Sequence, residues 1–188
     1  MVGTGQGAKM GILIKGGEVL ERVGKVDTIV FDKTGTLTSG KPRIVDVILA
    51  PGIQLDSERL LIFAGSLEKG SEHPLGLAVV AEAQRRGLEL NTPSDFSALP
   101  GFGVKGIVAG KSVLLGNKGL MVENQIDLSS IDSQLLKSTE NGKTPLIVCI
   151  DGQVSGFITA MDTIKLDAKE NVLQLKKMGL EVVMLTGD

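Results

Sequence analysis

The sequence has no tryptophan or tyrosine and only five phenylalanines among its 188 residues. That is consistent with ligand recognition that does not lean on aromatic stacking. A single cysteine, Cys149, cannot form an internal disulfide. It lies in the apolar run Leu146-Ile147-Val148-Cys149-Ile150, which reads as a buried strand thiol. With one histidine and one cysteine there is no ligand cluster for zinc or copper. No charge sign dominates: the net charge is −2, which argues against a nucleic-acid surface. The basic pairs Arg85-Arg86 and Lys176-Lys177 read as helix C-terminal residues opposing the dipole. Signal-peptide features are missing, and no apolar run reaches the roughly 18 residues that would span a bilayer.

What is present begins with Thr28-Ile29-Val30-Phe31, a short β-branched run expected to form a parallel strand buried on both faces. Asp32 follows at its carboxyl end, where open α/β sheets place their ligand sites. The small, hydroxylated residues Lys33-Thr34-Gly35-Thr36-Leu37-Thr38 can close backbone N–H groups around an anion. Asp32 is thus a candidate nucleophile for a phosphoryl group. The plainer alternative is an ordinary Asp- and Gly-containing turn.

Upstream, Gly3-Thr4-Gly5-Gln6-Gly7 lacks the strand and the Gly-Lys-Ser/Thr ending of a phosphate loop. Glu18 to Val23 reads as a short amphipathic helix. Downstream, Gly40-Lys41-Pro42 is expected to break the chain before a strand at Ile44–Ile48. Ser57 starts a helix with Leu60, Leu61, Ala64 and Leu67 on one face, stopped by Gly70. In Ser71-Glu72-His73-Pro74, the proline suits a first helical position, so Glu72 and His73 stand at a helix N-terminus. They could cap the helix or face a ligand.

Pro100-Gly101-Phe102-Gly103-Val104-Lys105-Gly106 contains GxGxxG, but two β runs around a Gly110-Lys111 turn follow it, not a helix. A dinucleotide fingerprint needs the helix, so that reading fails. Close approach of backbone to some other ligand remains open, and Gly116-Asn117 could be simply a turn. Leu146–Ile150, Asp151-Gly152 and Val154–Met161 read as a hairpin. Ala168, Val172 and Leu175 mark a helix closed by Gly179, and Leu180–Leu185 reads as a second buried parallel strand before Thr186-Gly187-Asp188.

The motif Asp32-Lys33-Thr34-Gly35-Thr36-Leu37-Thr38 resembles the phosphorylation motif of P-type ATPases, and Ser71-Glu72-His73-Pro74 resembles the nucleotide-domain signature of their heavy-metal branch. The resemblance covers essentially the whole chain, and Gly11-Ile12-Leu13-Ile14-Lys15-Gly16-Gly17-Glu18-Val19-Leu20-Glu21 leans toward copper and silver members. It implies an α/β fold: a partial haloacid-dehalogenase-like, Rossmann-like phosphorylation domain with an inserted α+β nucleotide-binding domain on an antiparallel sheet. Residues 1–38 would form the membrane-stalk link and first part of the phosphorylation domain, 39–158 the nucleotide-binding domain, and 159–188 a truncated second part. Asp162-Thr163-Ile164-Lys165 resembles the hinge.

By the same resemblance Asp32, Lys33, Thr34, Thr186, Gly187 and Asp188 are catalytic. Glu72, His73, Gly101, Gly103, Gly116 and Asn117 hold ATP or ADP, while Asp32 and the Thr34 carbonyl hold Mg²⁺. Related phosphatases carry a second aspartate where this chain has Thr34, which cannot transfer protons near neutral pH, so an acyl-phosphate on Asp32 should persist. The implied function is the ATP-binding, phosphorylated core of a pump exporting a heavy-metal cation, Cu⁺. It would sit on the cytoplasmic side of a membrane and join the rest of the same pump, whose membrane segments bind the ion. A lysine and a magnesium carboxylate expected after residue 188 suggest a fragment. The rival readings are a nucleotide-binding module without catalysis and a soluble phosphatase of the same superclass.

Overall fold

In the computed structural model, residues 2–185 are described. Helices α1 (Val2–Lys9) and α2 (Gly17–Val23) precede strand β1 (Thr28–Asp32), a π-type turn (Lys33–Leu37) and strand β2 (Thr38–Leu49). Next come α3 (Ser57–Leu67), a 3-10 turn (Glu68–Gly70), α4 (Pro74–Arg85), β3 (Ser94–Leu99), β4 (Gly103–Val108) and β5 (Lys111–Gly116). The chain continues through α5 (Lys118–Glu123), α6 (Asp132–Glu140), β6 (Thr144–Ile150), β7 (Gln153–Ile164), α7 (Ala168–Lys177) and β8 (Glu181–Leu185). The described residues fall into two compact units: those up to Thr38 together with those from Ile164, and Ser39–Thr163. Strand β7 runs through positions 158 and 159, and residues as far as Thr163 group with the second unit.

The second unit is built on a six-stranded sheet in the order β2-β7-β6-β5-β4-β3, with β3 to β7 paired antiparallel. On one face, Leu60, Leu61, Ala64 and Leu67 of α3 and Val79 and Ala83 of α4 pack on Val104, Val108, Val113, Leu115 and Val148. That is the apolar stripe expected of α3, and Asp56 caps the helix by accepting from the Arg59 N–H at 2.7 Å. On the other face Leu120, Met121, Ile131 and Leu135 cover Ile147, Cys149 and Phe157. Burial there pushes the Cys149 thiol up to about 11, as expected of a structural thiol.

Two local expectations are corrected. The hairpin joining β4 and β5 turns at Ala109-Gly110, with φ of 50° and 78°, not at Gly110-Lys111. Such a turn needs positive φ at both central residues, and Lys111 is already paired with Val108. The Asp151-Gly152 hairpin has the same geometry, with φ of 51° and 79°. Nor does Gly40-Lys41-Pro42 break the chain: β2 runs through it. The Asp162 carboxylate accepts from the N–H groups of Gly40 and Lys41 at 3.1 and 3.2 Å. Proline, which has no N–H, is tolerated because β2 is an edge strand.

In the first unit β1 and β8 pair in parallel, with Thr28 opposite Glu181 and Asp32 opposite Leu185. Helix α7 ends in a Schellman turn: Gly179 at φ 86° donates to the Lys176 carbonyl, and Leu180 donates to that of Leu175. The expected burial of both strand faces is not found: Val30 is 53 % exposed and Met184 54 %. A two-stranded sheet offers too few neighbours to cover an apolar strand, whatever its sequence. Helix α2 likewise buries no residue of its apolar positions. Among the described residues no helix is long and apolar enough to cross a membrane.

Candidate functional site

The candidate residues lie in two places, one in each unit. In the first unit Asp32 closes β1, exposed at the strand's carboxyl end and level with Leu185 of β8. Lys33 and Thr34 open the Lys33–Leu37 turn. Gly35 takes φ 77° there, a left-handed conformation that favours glycine. Its N–H donates to the hydroxyl of buried Thr38 at 3.1 Å. Lys165 pins the turn twice: its Nζ donates to the Gly35 carbonyl at 3.1 Å and its N–H to the Leu37 carbonyl at 3.0 Å. The loop after Asp32 is thus held by a residue 133 positions later in the chain. Thr186, Gly187 and Asp188 lie outside the described residues.

In the second unit the Ser71–His73 segment leads into α4. His73 is the N-cap, its Nδ1 accepting from the Leu75 N–H at 3.3 Å, while its own N–H donates to Ser71 Oγ at 3.2 Å. An accepting Nδ1 assigns the ring proton to Nε2, which leaves a donor on the exposed edge. Glu72 is exposed beside it.

Glu68, which sequence reasoning missed, lies beneath this segment. Its side chain is 5 % exposed, and Oε2 is buried with no hydrogen-bond partner. Burial raises its carboxyl above the ordinary value, opposed in part by the Ser71 hydroxyl and the charge of His73. A signal was available: position 68 continues the α3 stripe of residues 60, 61, 64 and 67, so a charge there falls on a buried face. An unpaired buried acceptor is costly to the fold and suits a ligand that brings a donor.

The glycine loop and the Gly116-Asn117 pair form one cluster. Gly103 and Gly116 are register partners. A Cβ on Gly103 would strike the Leu115 carbonyl and approach Gly116 Cα at 2.6 Å. One on Gly116 would strike the Phe102 carbonyl and approach Leu120 Cδ2 at 2.7 Å. These two glycines therefore serve the strand pairing itself. Gly101 differs: it has φ 79° with open space where a side chain would project. Asn117 Nδ2 donates to the Gly101 carbonyl at 2.8 Å, and Asn117 N–H donates to the Phe102 carbonyl at 2.9 Å. The third glycine, Gly106, lets Leu67 lie on β4, because a Cβ there would come within 2.9 Å of Leu67 Cδ1.

A cleft of about 700 Å³, lined by Ile53, Arg59, Phe63, Lys111 and Asp151 among others, lies toward the other end of β5 from Gly116 and includes none of these residues. Among the described residues no group of three or more His, Cys, Asp or Glu side chains could hold a metal ion.

The haloacid dehalogenase-like hydrolase family model matches residues 26–188, and the chain belongs to that family. Within it, the chain is homologous along its whole length to copper-exporting P-type ATPases. It is 44 % identical over 188 residues to the copper-exporting P-type ATPase of Bacillus subtilis (strain 168), covering all of this chain and 23 % of that protein. It is 46 % identical over 189 residues to the probable copper-exporting P-type ATPase V of Mycobacterium tuberculosis, covering 24 % of it. The chain thus spans about a quarter of the length of the curated relatives it matches.

Among solved structures, a zinc-transporting PIB-type ATPase in the E2.Pi state matches 99 % of this chain and 30 % of its own, at TM-score 0.75 and 36 % identity. The catalytic domain of the CPx-ATPase CopB-B matches 98 % of this chain and 61 % of its own, at TM-score 0.69 and 26 % identity. The fold is accordingly a haloacid-dehalogenase-like domain joined to the nucleotide-binding domain of a P-type ATPase.

Proposed function

We propose that this chain is the ATP-binding and phosphorylated part of a cation-exporting P-type ATPase, which couples ATP hydrolysis to movement of Cu⁺ across a membrane. The observation that carries the reading is Asp32, exposed at the carboxyl end of β1 and followed by a turn held by Thr38 and Lys165. An Asp32 carboxylate oxygen attacks the γ-phosphorus of ATP, the bond to the β-phosphate oxygen breaks, and ADP leaves. Thr34 supplies no proton-transferring group, so the aspartyl phosphate outlives a phosphatase intermediate. Lys33, Thr186, Gly187 and Asp188 complete the catalytic set.

The second unit holds the nucleotide. Glu72, His73, Gly101, Gly103, Gly116 and Asn117 form its site, and Glu68 joins them: its orphaned Oε2 can accept from an exocyclic amine of the base. The Asp32 carboxylate and Thr34 carbonyl are hard oxygen donors of the kind Mg²⁺ takes, so these residues fit that ion. Bound there, Mg²⁺ would offset charge on the transferring group. The transported cation is bound elsewhere in the pump, by membrane segments, with this chain on the cytoplasmic side. Copper is favoured over zinc by the 44 and 46 % identity to proteins named for copper, against 36 % to the zinc-transporting structure.

The test is acid-quenched labelling of the full-length pump with radiolabelled ATP and Mg²⁺. The native protein should carry hydroxylamine-labile label, and Asp32→Asn should carry none while still binding ATP. Label surviving in Asp32→Asn overturns the assignment. A second reading, a nucleotide-binding module without catalysis, is favoured by the self-contained cores of Ser39–Thr163. ATP binding with no label on native protein would select it.

A further inference from the structure

We propose that Gly76 is a positioning residue for nucleotide recognition, whose missing side chain leaves the space that the Glu68 carboxyl occupies. This inference rests on the reading of Glu68 as a base-contacting residue. Gly76 is buried in the first turn of α4, in helical conformation, two residues after Pro74. Nothing in its backbone calls for glycine: φ is not positive, and alanine makes the better helix. The reason lies in what surrounds it. A Cβ at position 76 would run into Glu68 Oε2, and would stand 2.8 Å from Glu68 Cδ and 2.8 Å from Ser71 Oγ.

The atoms it would meet are side-chain ends and not backbone, so a methyl group there would displace the carboxyl without disturbing the helix. The displaced atom is the one buried side-chain acceptor that lacks a partner among the described residues. Ser71 Oγ, the other neighbour, already accepts from His73 N–H, so Gly76, Glu68, Ser71 and the His73 cap form one packed group. A substitution at 76 should therefore act on ligand binding through Glu68 while the fold stays intact.

The experiment compares ATP affinity, by calorimetry, for the native chain, Gly76→Ala, Glu68→Gln and the double variant, with thermal melting of each. Gly76→Ala should weaken binding at least about tenfold with no fall in melting temperature. In the Glu68→Gln background the same substitution should cause no further loss beyond about twofold. Unchanged affinity in Gly76→Ala overturns the inference. So does an equal loss in both backgrounds, which would mean that Gly76 acts independently of Glu68.

A second measurement needs no ligand. The groups facing Glu68 are the Ser71 hydroxyl and the His73 imidazole. The pH titration of the Glu68 Cδ resonance should move down toward an ordinary glutamate in Gly76→Ala, and an unmoved midpoint overturns the proposal even if that variant is less stable. Native affinity retained by Glu68→Gln would instead sink the role of Glu68 in the base site. Absence of ATP binding by the native chain would sink the nucleotide reading as a whole, and this inference with it.

Discussion

Asn117 ties the glycine loop to α5: its Nδ2 donates to the Gly101 carbonyl at 2.8 Å while its Oδ1 accepts from the Leu120 N–H at 3.0 Å. One side chain thus fixes the carbonyl of the loop's open glycine and caps α5. Aspartate at 117 keeps the capping oxygen and loses the donor, whereas alanine loses both. Asn117→Asp should hold stability close to native yet weaken ATP binding several-fold. Asn117→Ala should also cost about 0.5–2 kcal/mol of stability, the range for a lost N-cap. Denaturant melts and calorimetry on both variants check this. Equal affinity in native and Asn117→Asp chains would leave the Gly101 bond without a part in binding.

Most features set by a few adjacent residues were legible, though the β4–β5 turn lies one residue earlier than expected. The turn after Asp32, the Asp151-Gly152 hairpin and the helix starting at Pro74 each follow from local chemistry, and the structure places them there. Features that depend on distant residues were not. Strand β2 runs through Gly40-Lys41-Pro42 paired with β7, where Asp162, 121 residues beyond Lys41, offers the Gly40 and Lys41 N–H groups an acceptor. Exposure of Val30 reflects how few strands flank it, which its own sequence does not encode. Glu68 drew no reading from the sequence, and its carboxyl packs against Gly76, eight positions on, in another helix.

His73 shows both readings of a helix N-terminal residue at once, since Nδ1 caps α4 and the exposed edge stays available. Asparagine separates the two roles, because it is a strong N-cap but cannot place a donor where Nε2 lies. His73→Asn should change stability by no more than about 0.5 kcal/mol, typical of an exchange between capping residues. Its ATP affinity should fall by up to about tenfold, the equivalent of one hydrogen bond worth roughly 0.5–1.5 kcal/mol. Unchanged affinity by calorimetry would reduce His73 to a cap.

Glu68 sets ligand binding against stability, and the sign can be worked out. Burial raises its carboxyl above the ordinary value of 4.5, so the folded chain holds this proton more tightly than the unfolded chain. Its contribution to stability is fully present below the unfolded value and is lost as pH rises through the folded one. Above that folded value the native chain carries a buried carboxylate with one unsatisfied oxygen. Glutamine removes the charge, so Glu68→Gln should be more stable than native at pH 7.5, by roughly 1 kcal/mol on the scale of an unsatisfied buried group. That advantage should shrink toward pH 4, where the native carboxyl is protonated. Nucleotide binding should run the other way: the native chain should lose ATP affinity as pH falls through the folded value, because a protonated oxygen accepts poorly from an amine. Repeating both measurements in a His73→Asn background removes the imidazole that faces Glu68. Denaturant melts at the two pH values decide the matter, and an identical stability difference at both would show that Glu68 is not the group being titrated.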